Sequence, residues 1–111
     1  MYTYLPPSSK ANDKVCNVAP QSHCNSEYGA SVGRNAFQWK TGEWNTISQR
    51  VRLNDPGQQN GELEVFVEVQ SVINVGGLVL RDSDAGRIRG MMMQTFFGGM
   101  FQFLSITKTI I

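Results

Sequence analysis

Apolar and polar residues alternate with a period of two along much of this chain, the spacing of a strand with one face buried. The longest such run is Trp44 to Leu53. Ile47, Val51 and Leu53 fall on one side of it, with Gln49 the exception, and Ser48, Arg50 and Arg52 fall on the other. Asn54-Asp55-Pro56-Gly57 breaks the run and Asn60-Gly61 adds a second turn signal. Alternation resumes from Glu62 to Val69, where Leu63, Val65, Val67 and Val69 oppose Glu62, Glu64, Phe66 and Glu68. The two runs are predicted to pair as an antiparallel hairpin with a connection of several residues.

Weaker signals flank this hairpin. Tyr2-Thr3-Tyr4-Leu5 alternates and is stopped by Pro6-Pro7, a short strand end. Ser8 to Glu27, rich in Ser, Asn, Lys and Pro, reads as a long surface loop. Tyr28 to Gly33 and Ala36 to Trp39 are short strand candidates around Gly33-Arg34-Asn35, followed by a turn at Thr41-Gly42-Glu43. Ser71 to Val75 predicts a strand ended by Gly76-Gly77, and Leu78 to Leu80 is a short apolar run. After a turn over Arg81 to Gly86, Arg87 to Phe97 predicts the last strong strand. The tail from Met100 to Ile111 carries Phe101, Phe103, Leu104, Ile106, Ile110 and Ile111 with Lys108 as its one charge. Left exposed it is an aggregation liability; packed on a sheet it is one more strand. No segment sustains a 3.6-residue stripe, so helices should be few. Short strands at regular intervals predict an all-β, antiparallel sandwich or jelly roll.

Composition adds limits. A chain of 111 residues is one domain or part of one, and 41% hydrophobic content excludes a wholly disordered chain. Ten basic and nine acidic residues give a net charge of +1, which points to neither nucleic acid nor an anionic membrane as partner. No apolar run is long enough for a spanning helix. The first ten residues lack the basic-then-apolar order of a signal peptide, so a secreted parent would carry its signal outside this chain.

Cys16 and Cys24 fit neither a C-x-x-C redox site nor common zinc-ligand spacing. Two free buried thiols are one reading. A local disulfide pinning the loop is the other, favoured by the polar surroundings, and it requires an oxidising compartment. His23, the single histidine, sits between the cysteines and reads as a surface residue. Trp39 and Trp44 offer flat faces for stacking, though burial at strand ends is the commoner role of such residues. Metal clusters, phosphate-binding loops, dinucleotide fingerprints and Ser-His-Asp arrangements are not apparent, so no cofactor or metal is expected.

Four segments taken in order carry a resemblance: Tyr2-Thr3-Tyr4-Leu5-Pro6; Tyr28-Gly29-Ala30-Ser31-Val32-Gly33-Arg34; Gly42-Glu43-Trp44 with Arg50-Val51-Arg52-Leu53-Asn54-Asp55; and Arg87-Ile88-Arg89-Gly90 through Gln94-Thr95-Phe96-Phe97-Gly98-Gly99. Each is weak alone. Together, from Tyr2 to Gly99, the chain resembles polysaccharide lyase family 14, which includes alginate and glucuronan lyases. The resemblance implies a β-jelly roll, and a chain matching only its C-terminal part. On this reading residues 1–99 are a partial lyase-like domain and residues 100–111 a divergent apolar tail. The family pattern departs at Glu68-Val69-Gln70, where a glycine-containing turn is usual; the hairpin there should be longer or strained.

The resemblance also implies chemistry: β-elimination on uronic-acid polymers, an acidic polysaccharide as partner and a secreted location. Tyr2 and Tyr4 match the family's catalytic Tyr-x-Tyr pair, and their spacing puts both phenols on one strand face. A tyrosine acting as base needs positive charge nearby, because its unperturbed pKa is about 10. Family members supply that charge from Lys and Arg on strands before the pair, so only part of the site is expected here. Arg50 and Arg52, and Arg87 and Arg89, alternate on two strands and would bind uronate carboxylates if their faces line one cleft; otherwise Glu62, Glu64 and Glu68 are natural partners. Gln94 and Thr95 are candidates for hydrogen bonds to sugar hydroxyls. The alternatives are an inactive carbohydrate-binding sandwich and a truncated structural or interaction module; on any of these readings a partial domain leaves edges through which it would self-associate.

Overall fold

A computed structural model describes residues 1–6, 9–27 and 29–93. Gln94, Thr95, Phe96, Phe97 and the tail from Met100 to Ile111 lie outside the described residues, as do Pro7, Ser8 and Tyr28. The described chain is mostly β, with strands β1 (Tyr2–Thr3), β2 (Gln21–Asn25), β3 (Gly29–Arg34), β4 (Ile47–Arg52), β5 (Gly61–Val67) and β6 (Gln70–Leu78), and a 3-10 helix at Lys10–Asn17. They form two antiparallel three-stranded sheets, ordered β1-β3-β2 and β4-β5-β6.

The alternation that predicts the hairpin also sets its register. Ile47 pairs with Val67, Val51 with Leu63 and Arg52 with Glu62. Because the side-chain period is two, this places Leu63 and Val65 on the inner face and Glu62 and Glu64 on the outer one. One core holds the two sheets together. Ala30 and Val32 from β3 meet Leu63, Val65, Ile73, Val75 and Leu78 from the second sheet, and Val15 of the 3-10 helix closes the cluster. Gly33 shows how close the sheets come. It has φ +62, and a Cβ there would stand 2.7 Å from Ile73 Cδ1, so only glycine satisfies both the backbone and the contact.

Several expectations are corrected. The long loop from Ser8 to Glu27 contains the 3-10 helix and β2. Its composition is polar because most of the segment faces solvent, and a few contacts order it. Val15 enters the core, the Cys16–Cys24 disulfide ties helix to strand, and buried Asn12 donates to Pro6 O at 3.1 Å and Val79 O at 2.9 Å. Ala36 to Trp39 is not a strand. Gly33 and Asn35 both have positive φ, and Ala36 N donates to Gly33 O at 3.2 Å, so the chain turns. The run from Trp44 begins pairing only at Ile47. Before it, the Asn45 side chain bonds Lys40 N and Lys40 O, both at 3.0 Å, and closes the loop that contains Trp44. Gly76-Gly77 does not end β6, because a register shift opposite Gly61 and Glu62 absorbs the pair.

The β5–β6 connection is short, with Val67 paired to Gln70. Glu68 itself takes φ 55, the left-handed conformation that glycine would adopt without cost, and its N–H donates to Thr46 O at 2.8 Å. The strand predicted over Arg87 to Phe97 is absent over residues 87–93, which join no sheet among the described residues and are exposed. A strand needs a neighbouring ladder, and the chain is turned away before Arg87. Arg81 Nε donates to Asn54 O at 2.7 Å, Arg81 Nη1 to Gly86 O at 3.2 Å, and Gly86 N to Ser83 O at 3.1 Å. No helix among the described residues is long and apolar enough to cross a membrane.

Candidate active site

β1 is an edge strand, and its pairing decides where the tyrosines point. Thr3 lies opposite Ala30, which in turn lies opposite Cys24. Ala30 is buried in the core, so this row faces inward. The adjacent row, Tyr2 opposite Ser31 and Ser31 opposite His23, therefore faces outward. Directly opposed residues stand with Cβ atoms about 4.5–5.5 Å apart, so a phenol, a hydroxyl and an imidazole form a line across this sheet.

Tyr4 follows just beyond β1. Its ring lies over Gly29, where a Cβ would come within 3.0 Å of Tyr4 Cδ1 and 2.7 Å of Thr3 O. The Tyr2 and Tyr4 rings meet edge to face, with centroids 5.4 Å apart and planes at 61°. Both are open to solvent, at 53% and 75% relative exposure. Period-two spacing thus brings the two phenols together as the sequence predicts.

Arg34 joins the same face. Residues three apart in a regular strand point to opposite faces, but the left-handed backbone at Gly33 turns Arg34 back. Its Nε donates to Ser31 Oγ at 2.7 Å. Sequence reading missed this residue as site chemistry. The visible signal was Gly33 between Ser31 and Arg34, a residue able to break strand alternation.

The other predicted cations are elsewhere. Arg50 and Arg52 lie on the outer face of the second sheet, on the far side of the core from Tyr2 and Tyr4. Arg50 contacts Glu62 at 2.7 Å and Glu64 at 3.1 Å, and Arg52 contacts Glu62 at 3.1 Å. Glu64 is nearly buried and also accepts from Ser71 Oγ at 2.8 Å and Asn74 Nδ2 at 3.1 Å. Hydrogen bonding to Arg52, with the Arg50 charge, holds the Glu62 carboxyl below its ordinary range, and the same carboxylates push Arg50 up. Arg87 and Arg89 stand on the exposed segment after the Gly86 turn; Arg87 Nε donates to Asp84 O at 3.3 Å. Gln94 lies outside the described residues.

Behind the tyrosines, between β1, the start of β3 and the 3-10 helix, is an open cleft of about 530 Å³. Tyr4, Thr3, Ser9 and Asn12 line it together with Asp13 and Glu27, and no Lys or Arg among the described residues does. An anionic polymer would meet only like charge there. Cys16 and Cys24 form a disulfide. No cluster of three or more His, Cys, Asp or Glu suited to a metal occurs among the described residues. Trp39 and Trp44 are not buried: they are 64% and 98% exposed, with Trp39 set edge-on to Phe37 at 5.2 Å.

The family model described as polysaccharide lyase 14 matches residues 1–108. The match takes in residues 100–108, beyond Gly99 where the recognisable motifs give out. No curated protein and no solved structure matches the chain.

Proposed function

This chain belongs to polysaccharide lyase family 14, and we propose on that footing that it acts on uronic-acid polysaccharides of the alginate or glucuronan type by β-elimination. Family membership implies a polysaccharide substrate and lyase chemistry. In the reaction the uronate carboxylate is neutralised, a base removes the C5 proton, and an acid protonates the glycosidic oxygen as its bond to C4 breaks. The products are a shortened chain and a sugar with a C4–C5 double bond. Tyr2 and Tyr4 supply the base and the acid. The observation that carries this reading is their pairing, ring against ring at 5.4 Å, on an exposed strand face. Such a placement lets both phenols reach one sugar residue without bringing the polymer into the acidic cleft behind them.

The test is the ultraviolet absorbance of the conjugated product when the purified chain is mixed with alginate and with glucuronan. A steady rise that Tyr4→Phe abolishes is expected. Because phenylalanine keeps the ring and removes only the hydroxyl, the fold should persist.

A second reading, a carbohydrate-binding surface without catalysis, is favoured by the exposure of Trp39 and Trp44 at 64% and 98%. Flat aromatic faces left in water suit stacking on sugar rings. Binding with no absorbance change in either the native chain or Tyr4→Phe would select it.

The disulfide supports a secreted location, since such bonds persist in oxidising compartments. Self-association through β4 is part of the same proposal. All six of its residues are exposed, Ile47 and Val51 among them, and among the described strands β5 covers one edge only. Sedimentation velocity should show mass rising with concentration, and Val51→Lys should suppress the rise. A monomer at all concentrations would refute it.

A further inference from the structure

The carboxylate-neutralising group is the part of the lyase reading that the Tyr-x-Tyr pair does not supply. The cations of the described residues differ in what surrounds them. Arg50, Arg52, Arg81 and Lys40 are each paired with a carboxylate. Lys14 is spent on Gly77 O at 3.2 Å. Arg34 has no carboxylate within ion-pair distance among the described residues, as is also true of Lys10, Arg87 and Arg89; what sets it apart is its place on the strand paired with Tyr2. Its guanidinium is nonetheless held, because Nε donates to Ser31 Oγ and Ser31 stands directly opposite Tyr2. A guanidinium fixed through Nε presents its two terminal nitrogens as a fork, the geometry that matches a carboxylate.

Resting on the lyase reading, we propose that the outer face of the β1-β3-β2 sheet is the polyuronate-binding surface, with Arg34 as the ligand of the uronate carboxylate and Ser31 as its positioning residue. The row Tyr2–Ser31–His23 runs across the strands. Arg34 places a positive charge on that row, next to the position Tyr2 faces. A sugar whose carboxylate sits on Arg34 therefore lies against the tyrosine side of the sheet, where a C5 proton is within reach of a phenol. Ser31 acts through Arg34 by accepting from Nε and keeping the fork turned outward. His23, at the far end of the row, flanks the track of the polymer. Polyuronates rather than neutral glucans are selected, because the surface offers a cation and the substrate one carboxylate per sugar.

The test uses the purified chain with alginate, glucuronan and their oligomers, and a neutral glucan as comparison. Arg34→Gln is expected to raise KM and weaken oligouronate binding by about tenfold to a hundredfold, the range for losing a charged hydrogen-bonded contact. Arg34→Lys, which keeps the charge and loses the fork, should fall between the two. Ser31→Ala should raise KM with little change in kcat, and Ser31→Thr should restore it. Lys40→Gln removes a surface cation outside the site and controls for net charge. A second readout needs no variant: saturating oligouronate should protect Arg34 of the native chain from phenylglyoxal, read by peptide mass.

Cleavage by the native chain with KM unchanged in Arg34→Gln, or an Arg34 modified at the same rate with and without oligouronate, overturns this assignment and leaves the lyase reading standing. Arg34-dependent binding without cleavage does the reverse: the surface stands and the lyase reading falls. A native chain that neither binds nor cleaves polyuronate overturns both.

Discussion

Asn54 is fully buried, and its side chain organises the exit from the second sheet. Oδ1 accepts from Leu80 N at 2.7 Å and Arg81 N at 2.9 Å, while Nδ2 donates to Asp55 O and Arg81 O, each at 3.0 Å. A residue in the Asn54-Asp55-Pro56-Gly57 turn signal thus serves as hydrogen-bond partner for residues 80–81. Asn54→Ala leaves those backbone groups unpaired inside the protein. It should cost about 2–4 kcal/mol in urea unfolding, as expected when several buried groups lose partners; a loss below about 0.5 kcal/mol would contradict the assignment. Glu62 carries the clearest pH signal. Its folded carboxyl, bonded to Arg52 and near Arg50, lies below the ordinary value of 4.5. The unfolded chain therefore takes up this proton at higher pH than the folded one, so the stabilisation is complete above about pH 4.5 and is lost as pH falls through the folded value. The stability gap between the native chain and Glu62→Gln should shrink on acidification below that point; a gap independent of pH would refute this. Pattern alone gave the alternation of Glu62 and Glu64 against Arg50 and Arg52. Arg34 stayed hidden because its placement depends on the backbone φ of Gly33, which periodicity does not encode.

At the scale of elements, the hairpin of β4 and β5 was legible because two long alternations flank turn residues, and register follows from that pattern. The 3-10 helix and β2 were not. Their residues are polar, and long-range contacts hold them rather than local propensity: Val15 in the core, Asn12 on Pro6 and Val79, and the disulfide between Cys16 and Cys24. Removing the disulfide should therefore do more than open a loop. Cys16→Ser with Cys24→Ser, which closes no covalent ring over a separation of 8 residues, should lose about 2–3 kcal/mol in the chain-entropy account. Amide hydrogen exchange should rise first in residues 10–25. Unchanged exchange there would mean that packing alone orders the segment. The opposite error, over residues 87–93 of the strand predicted from Arg87 to Phe97, has a matching cause. Alternation signals a residue's taste for a pleated, half-buried surface, but residues 87–93 have no ladder to join.

For the molecule as a whole, two sheets enclose one core and leave two outer faces with different chemistry. The β4-β5-β6 face neutralises itself: its arginines and glutamates are matched in Arg50, Arg52, Glu62 and Glu64. The β1-β3-β2 face carries two phenols, an imidazole and an arginine that no carboxylate of the described residues engages. The all-β class and the shared face of Tyr2 and Tyr4 could be read from period and spacing, and their candidate role from the family resemblance. Which outer face each arginine occupies could not, since it depends on how the sheets stack. On the proposed reading the lyase chemistry lies on the β1-β3-β2 face. The most direct test is the ultraviolet absorbance of polyuronate mixed with the native chain and, separately, with Tyr4→Phe, both shown to be folded by circular dichroism. The account predicts a steady rise with the native chain and none with the variant. An equal rise in both, or no rise with a folded native chain, would contradict it.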